Sequence, residues 1–334
     1  MQYDALLLIS FGGPEGPDDV IPFLENVVRG KSVPQERLQE IARHYEPFGG
    51  VSPINTQNRA LLAALVGHLN VHGPHLPVYW GNRHWHPLLA DAIAQMAEDG
   101  IRSALAFVTS AFGSHPGCRA YLEDIERARQ QVGPGAPQVH KLRLFYNHPG
   151  FIEAMADRTR DALNEVAPER REQCRLLFSA HSIPRAMAET SPYEGQLREA
   201  CRLVAERLSL SQWELVYQSR SGPPGEPWLG PDIREVIRRL ADQGTRDLVV
   251  APIGFLCAHM EIVHDLDVEV ADLCAGLGLE LVRAEVVGVH PRIVEMIREL
   301  VVERLDSAAP RLSLGGQGAW PDDCPSDCCR LARA

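Results

Sequence analysis

The sequence predicts an α/β fold of two similar doubly wound domains, each a four-stranded parallel sheet flanked by helices. Apolar, β-branched runs alternate with longer stretches of helical period almost throughout the 334 residues. Strict βα alternation implies parallel strands with helices on both faces. The runs fall into two groups of four, divided by the turn signal Tyr146-Asn147-His148-Pro149-Gly150. A chain of this length accommodates two domains of ordinary size. A single (β/α)8 barrel is the alternative, which the long unpaired insertion at 11–52 fits less well.

In chain order, strands are expected at 4–10, 77–81, 103–110 and 141–146 in the first half, and at 174–180, 213–219, 246–253 and 279–287 in the second. Helical periods occupy 36–46, 55–70, 149–166, 193–208, 231–243 and 290–305. Met1–Ser10 carries no basic n-region or small-residue cleavage site, so it reads as the first strand rather than as a signal peptide. The expected units are an N-terminal Rossmann-like domain at 1–145 with pocket loops at 11–52, and a second such domain at 146–288. A helix at 289–306 then packs back on the first domain. Residues 307–334 follow as a linker and a cysteine-bearing tail, because Ser307–Asp323 is rich in Gly, Pro and Ala and has no apolar period. The Gly/Pro-rich loop Ser219–Pro231 carries Trp228, which is either a wall for a flat ligand or an anchor of the loop to the core.

Composition narrows the function. A formal net charge of −11 argues against nucleic acid, whose binding depends on basic contacts to phosphate. No apolar run approaches the roughly 18 residues of a membrane span, so cytoplasmic residence without stable membrane association is the expectation. No apolar stripe demands an obligate dimer, which leaves a monomer. Of the eight cysteines, Cys324, Cys328 and Cys329 crowd the last eleven residues. In a cytosolic chain such a cluster points to metal binding rather than disulfides.

The most informative segment runs from Gly254 to Glu269. Glu261, Asp265 and Glu269 are spaced i, i+4, i+8, which on an α-helix stacks three carboxylates on one face. Like charges at that spacing repel unless something positive sits between them. The segment follows the buried-strand run Asp247–Ile253, and ligands of open α/β sheets bind past the carboxyl ends of strands. A solvated helix face and a row that receives a divalent cation both remain open at this point. Another strand, Cys174–Ser179, runs into Ala180-His181-Ser182-Ile183-Pro184, placing His181 at a strand end. By itself such a histidine can be merely structural.

Together, "SAHSIP" and "GF…HMEIVHDLDVE" resemble the ferrochelatase family at its metal-site His and Glu. The likeness extends through "LLISFGGPEGPDDVIPFLENVVRG", "HYEPFGGVSPIN", "GNRHWHP" and "QSRSGPPGEPWLGPD", and covers roughly residues 3–305 in collinear order. It implies the two-lobed, class II chelatase-like form of the predicted fold, and insertion of Fe2+ into a porphyrin with release of two protons. It also implies that His181 and Glu261 face each other across the porphyrin plane, with Asp265 and Glu269 as outer rungs of a metal relay. The chemistry agrees. A neutral imidazole is a sensible acceptor for weakly acidic pyrrole protons. Carboxylate oxygens pass iron along without the trapping that thiolates would cause.

The same resemblance assigns Arg29, Tyr45, Ser52 and Tyr121 to the porphyrin pocket, an Arg fork and hydroxyls being apt partners for propionates. Glu15 stands in that pocket where several bacterial relatives have a Tyr that ligates product iron. The motifs are most similar to actinobacterial members, which implies coproporphyrin III as the substrate and coprohaem as the product, in haem b biosynthesis. Protoporphyrin IX is the alternative substrate, and a non-catalytic porphyrin- or haem-binding protein on the same fold is a reading of another class. Some members carry a [2Fe–2S] cluster on three C-terminal cysteines and one internal cysteine, which here implies Cys324, Cys328, Cys329 and Cys118. Cys174 or Cys257 could replace one of the adjacent pair, and a tetrahedral zinc is the rival occupant.

Overall fold

The computed structural model describes residues 3–30, 32–222, 225–325 and 327–330; the ends of the predicted first domain and of the tail, Met1, Gln2 and 331–334, lie outside them. Two four-stranded parallel sheets form the framework. The first has the order β2-β1-β3-β4, from β1 (Ala5–Ser10), β2 (Val78–Asn82), β3 (Ser103–Val108) and β4 (Gln138–Lys141). The second repeats it as β6-β5-β7-β8, from β5 (Arg175–His181), β6 (Trp213–Gln218), β7 (Asp247–Ala251) and β8 (Glu280–Arg283). This is the fold class expected from the βα alternation. Every residue of the inner strands β1 and β7 is buried, which is why both read as unbroken apolar runs.

Helices cover both sheets. In the first half these are α1 (Val20–Val27), α2 (Gln35–Arg43), α3 (Ile54–His72), α4 (Leu89–Glu98) and α5 (Ala120–Val132). In the second they are α6 (Pro149–Glu165), α7 (Arg185–Glu189), α8 (Tyr193–Arg207), α9 (Ile233–Asp242), α10 (Met260–Val263), α11 (Ala271–Gly276) and α12 (Pro291–Leu305). The sequence logic of α9 is plain. Ile233, Val236, Ile237 and Leu240 form its buried stripe, and the Asp232 carboxylate caps it by accepting from the Arg234 N–H at 2.8 Å. Helix α12 packs on α6 and on α3, and so bridges the second half to the first. The insertion at 11–52 folds as α1 and α2, whose Val20, Phe23, Leu24 and Leu38 form a small core with Tyr45 and with Met260 of the second half.

Two expectations need correction. The strand expected at 141–146 is β4, ending at Lys141. Residues 142–148 are all buried but leave the sheet after the Leu142 N–H bonds the Ala106 carbonyl at 2.8 Å. Their apolar side chains fill the core without a strand partner: Phe145 packs on Phe107 of β3 and Phe151 of α6, and Tyr146 on Trp320 of the C-terminal segment. The expected linker Ser307–Asp323 is instead strapped to the core, with no helix or strand among the described residues after 306. Arg143 Nη2 donates to the Leu312 carbonyl at 2.8 Å, Asn147 Nδ2 donates to the Gly318 carbonyl at 2.8 Å, and Tyr146 Oη donates to Gln317 at 2.8 Å. Buried side chains supply the hydrogen bonds that regular structure would otherwise supply.

Arg143 is the critical strap. Its side chain is 0% exposed and its charge is met by Glu303 on α12, itself 2% exposed. Glu303→Ala should cost about 3–5 kcal/mol in urea unfolding, because it leaves a buried guanidinium unpaired. The double change Arg143→Met, Glu303→Leu should recover most of that loss.

Candidate active site

Both sheets share one strand order, so each has a crevice where the chain switches direction, past the carboxyl ends of β1 and β3 and of β5 and β7. In the second sheet, β5 delivers His181 at its last position, in register with Gln218 of β6. The loop leaving β7 must cross the end of β5 to reach α10. It does so at Gly254, whose N–H bonds the Ser179 carbonyl at 3.1 Å; a Cβ there would lie 2.7 Å from the Ala180 backbone. The crossing places Glu261, in the first turn of α10, opposite His181.

His181 Nε2 lies 3.4 Å from Glu261 Oε1, with the two side chains 31% and 39% exposed. Charge-assisted hydrogen bonds are shorter than this, at roughly 2.7–2.9 Å. Two donors sharing one cation through bonds of about 2.1 Å lie about 3.0–3.4 Å apart. The spacing therefore suits a shared ion better than a closed salt bridge. The ring is fixed by its other nitrogen: Nδ1 contacts the Ser182 carbonyl oxygen, which can only accept, so Nδ1 carries the hydrogen and Nε2 keeps its lone pair toward Glu261 when the ring is neutral. Tyr193 Oη steadies the strand end by donating to the His181 carbonyl at 3.0 Å. Gln218 Nε2 likewise donates to the Glu261 carbonyl.

The electrostatics of the pair are reciprocal. Burial opposes the charge on each, but the mutual attraction wins. His181 is pushed up to about 9 by the Glu261 charge and hydrogen bond, with the Ser182 carbonyl and Asp265 adding to it. Glu261 is held down at about 2 by His181 and His259. Both shifts favour the imidazolium–carboxylate form of the pair at neutral pH.

The outer carboxylates do not continue an α-helix. Residues Asp265–Val270 form a π-helical turn between α10 and α11, in which the Glu269 N–H reaches the His264 carbonyl at 3.0 Å. The expected i, i+4, i+8 stack of three carboxylates is therefore corrected to an inner Glu261 and an outer group. The wider turn swings His264 beside Asp265 and Glu269, and the donor atoms of these three all lie within 4.8 Å of one another. Like charges that would strain a regular helix are relieved by neighbours. Ser219 Oγ, on a residue held at φ 62°, donates to Asp265 Oδ2, and Arg234 Nη1 lies 3.8 Å from Glu269 Oε2. Asp265 nevertheless stays raised, at about 6, by its burial and by Glu261 and Glu269.

Across the crevice, the first half presents Tyr45, buried between α2 and Met260, with burial and the charges of Glu261 and Asp265 pushing its hydroxyl pKa up. His44, just before it, stacks on the His264 ring at 4.0 Å between centroids with a 4° interplanar angle. The loop after β1 turns at Gly12, φ 82°, where a Cβ would strike Asn82 at 2.8 Å. Phe11 and Val51 expose apolar surface here.

The ferrochelatase family profile matches residues 3–305 of this chain. The chain belongs to the ferrochelatase family. It is 53% identical to the ferrochelatase of Rhodopirellula baltica, over 98% of this chain and 93% of that protein. To the coproporphyrin III ferrochelatase of Nocardia farcinica it is 49% identical, over 100% and 98% of the two chains. Among solved structures, SirB from Bacillus subtilis with Fe3+ has the same fold, with TM-score 0.55 at 13% identity over 91% of this chain and 98% of that one. This ferrochelatase is therefore an enzyme that inserts iron into a porphyrin, and the ion it handles is a substrate.

The other sequence-derived positions of the ferrochelatase differ in exposure and partners. Arg29 is exposed and leans on Asn26. Glu15 is gripped by both Arg59 nitrogens, at 2.5 and 2.8 Å, so its carboxylate is already engaged. Ser52 is buried against Gly13, its N–H donating to the Pro14 carbonyl at 2.8 Å. Tyr121 is buried on α5 with the Arg83 guanidinium 4.5 Å above its ring. Trp228 anchors its own loop: its Nε1 donates to Glu226 at 2.9 Å and the indole lies against Gly222. Ser219, His264, Arg234 and Gln218 were not singled out from sequence. Gln218 ends a strand just as His181 does and Ser219 follows it, a signal that was available; His264 was hidden by the α-helical period.

The titration of His181 follows from this geometry. In the free enzyme its ring should titrate near pH 9, so the neutral form able to bind metal or accept a proton grows as pH rises from 7 to 9. In Glu261→Gln the midpoint should move to lower pH, because the strongest opponent of burial is removed and only the Ser182 carbonyl and Asp265 remain against it. Histidine-labelled NMR reads both.

Proposed function

We propose that this ferrochelatase inserts Fe2+ into coproporphyrin III to give coprohaem, with His181 and Glu261 as the metallating pair. The observation that carries the reading is the 3.4 Å imidazole–carboxylate spacing in a crevice between two lobes. The names of the relatives in Nocardia farcinica, Frankia alni and Mycolicibacterium smegmatis, at 46–49% identity, support the substrate. Coproporphyrin carries four propionates and is water-soluble, and no described helix is long and apolar enough to cross a membrane. Arg29, Arg59 beside Glu15, and the hydroxyls of Tyr45, Ser52 and Tyr121 are the polar groups of the porphyrin lobe. Arg29 provides local positive charge for propionates on a chain of net charge −11, whereas the charge of Arg59 is already met by Glu15.

In this mechanism Asp265 and Glu269 receive Fe2+ and pass it inward to Glu261. Hard carboxylate oxygens hold ferrous iron loosely enough to release it. Iron replaces two pyrrole protons, so charge balances at the macrocycle. His181 Nε2 faces the centre with a free lone pair once neutral and accepts pyrrole protons, which leave along the acidic row. A carrier that only bound porphyrin would have no use for this pair. His181→Ala should abolish metallation in an anaerobic absorbance assay while coproporphyrin binding survives. Glu261→Gln should lower turnover far more than Asp265→Asn or Glu269→Gln, whose main effect should be a higher iron KM. Equal losses from all three carboxylates would refute the relay.

The reading also includes a [2Fe–2S] cluster on Cys118, Cys324, Cys328 and Cys329, and the donor set fits it. Burial raises the Cys118 and Cys329 thiols, and the nearby cysteines add to it: Cys324 acts on Cys118, and Cys328, Cys118 and Cys324 act on Cys329. Cys328 Sγ and Cys329 Sγ are 3.4 Å apart, and the Cys328 carbonyl accepts from Arg119 at 3.1 Å, next to Cys118 in the chain. Cys257 instead pairs with Asn58 at 3.6 Å, and Cys174 with its neighbour's carbonyl at 3.8 Å, so neither is the better fourth ligand. Bound there, the cluster supplies structural order to the C-terminus. Purified enzyme should be reddish-brown with about two non-haem irons per chain. Each Cys→Ser change should lower that content; colourless anaerobic protein holding one zinc would replace the cluster with a zinc site.

A further inference from the structure

We infer that His264 makes the outer end of the carboxylate row a mixed nitrogen–oxygen station that takes first-row transition cations such as Fe2+ in preference to Mg2+ or Ca2+. This rests on the reading that iron enters along that row, and adds to it the group that chooses the ion. The donor atoms of His264, Asp265 and Glu269 converge within 4.8 Å. His264 Nδ1 lies 3.4 Å from Asp265 Oδ1, the spacing of two ligands on one cation with bonds of about 2.1 Å. The other Asp265 oxygen is occupied by the Ser219 hydroxyl, so Oδ1 is the one turned to the histidine. The His264 side chain is 13% exposed and its ring is held flat against His44, so the nitrogen does not sweep freely through solvent.

Charge explains why nitrogen matters here. Two carboxylates alone would suit Mg2+ or Ca2+, which choose oxygen ligands and respond to net negative charge. Arg234, 3.8 Å from Glu269 and paired with Asp232 at 3.1 Å, offsets part of that charge. A site so weakened for hard ions keeps its imidazole contribution, which favours iron, cobalt, nickel and zinc. The π-helical turn is what creates the combination, because the i→i+5 bond from Glu269 to His264 brings residue 264 onto the face of the outer carboxylates.

Co2+ and Mg2+ are titrated separately into His181→Ala protein, in which the inner pair cannot chelate, and into the same protein also carrying His264→Phe. Co2+ reports nitrogen ligation through its visible absorption. Phe keeps the stack on His44 and removes the donor. Co2+ binding should weaken at least about tenfold, the loss that even an outer-shell partner causes, with its spectrum shifted and Mg2+ binding unchanged. His264→Gln, as a second variant with thermal melting as the check on folding, should give the same loss. Unchanged Co2+ affinity and spectrum on removing His264 would overturn the inference. If Asp265→Asn in that protein still weakens Co2+, the iron-relay reading survives that failure; if it does not, both fall.

Discussion

The contact on which the rest of the structure depends is the one between an imidazole and a carboxylate that are not allowed to close. His181 and Glu261 attract each other strongly enough to move both ionisations, yet they stand at 3.4 Å rather than in a tight pair. Each is fixed from behind, the ring by the Ser182 carbonyl and the glutamate backbone by Gln218. A parallel sheet suits this task. Strand ends are rigid, adjacent and open on one side, so two groups can be held at a set distance without burying the space between them.

Beyond the pair, negative charge accumulates, and the backbone adapts to it. A regular helix through Glu261, Asp265 and Glu269 would stack three like charges. The π-helical turn breaks that stack, and Ser219, Arg234 and His264 fill in around the outer carboxylates. Some of the polar groups come from the ends of other elements, Ser219 from the residue just past β6 and Arg234 from the start of α9. The first half contributes from above through α2 and Tyr45, packed on Met260, so the crevice walls belong to both lobes.

Stability is handled away from the crevice. Helix α12 joins the lobes through α6 and α3; the C-terminal segment is strapped to it by Arg143 through Glu303 and by Asp322, and to the run after β4 by Asn147. This leaves the strand ends free of structural duty. It also delivers three cysteines to the neighbourhood of Cys118, about two hundred residues away in sequence.

The βα alternation determined the two parallel sheets, because strands buried on both faces must be continuous apolar runs and helices over them must be amphipathic. His181 and Glu261 were candidates for a related reason, lying at or past the ends of such runs where a ligand crevice opens, and the resemblance to the ferrochelatase family is what paired them. What sequence could not specify was anything set by departures from regular period. The run 142–146 looks like a strand because burial, not pairing, decides its composition, and only its packing in the core and against the C-terminal segment distinguishes the two. Ser307–Asp323 has no period of its own, so its order is visible only in the buried polar groups that receive it. His264 falls off the carboxylate face on an α-helix and onto it in a π turn. The spacing of residues in the chain is the same in both cases; the tertiary structure alone decides which hydrogen bond closes, and with it which side chains share a site.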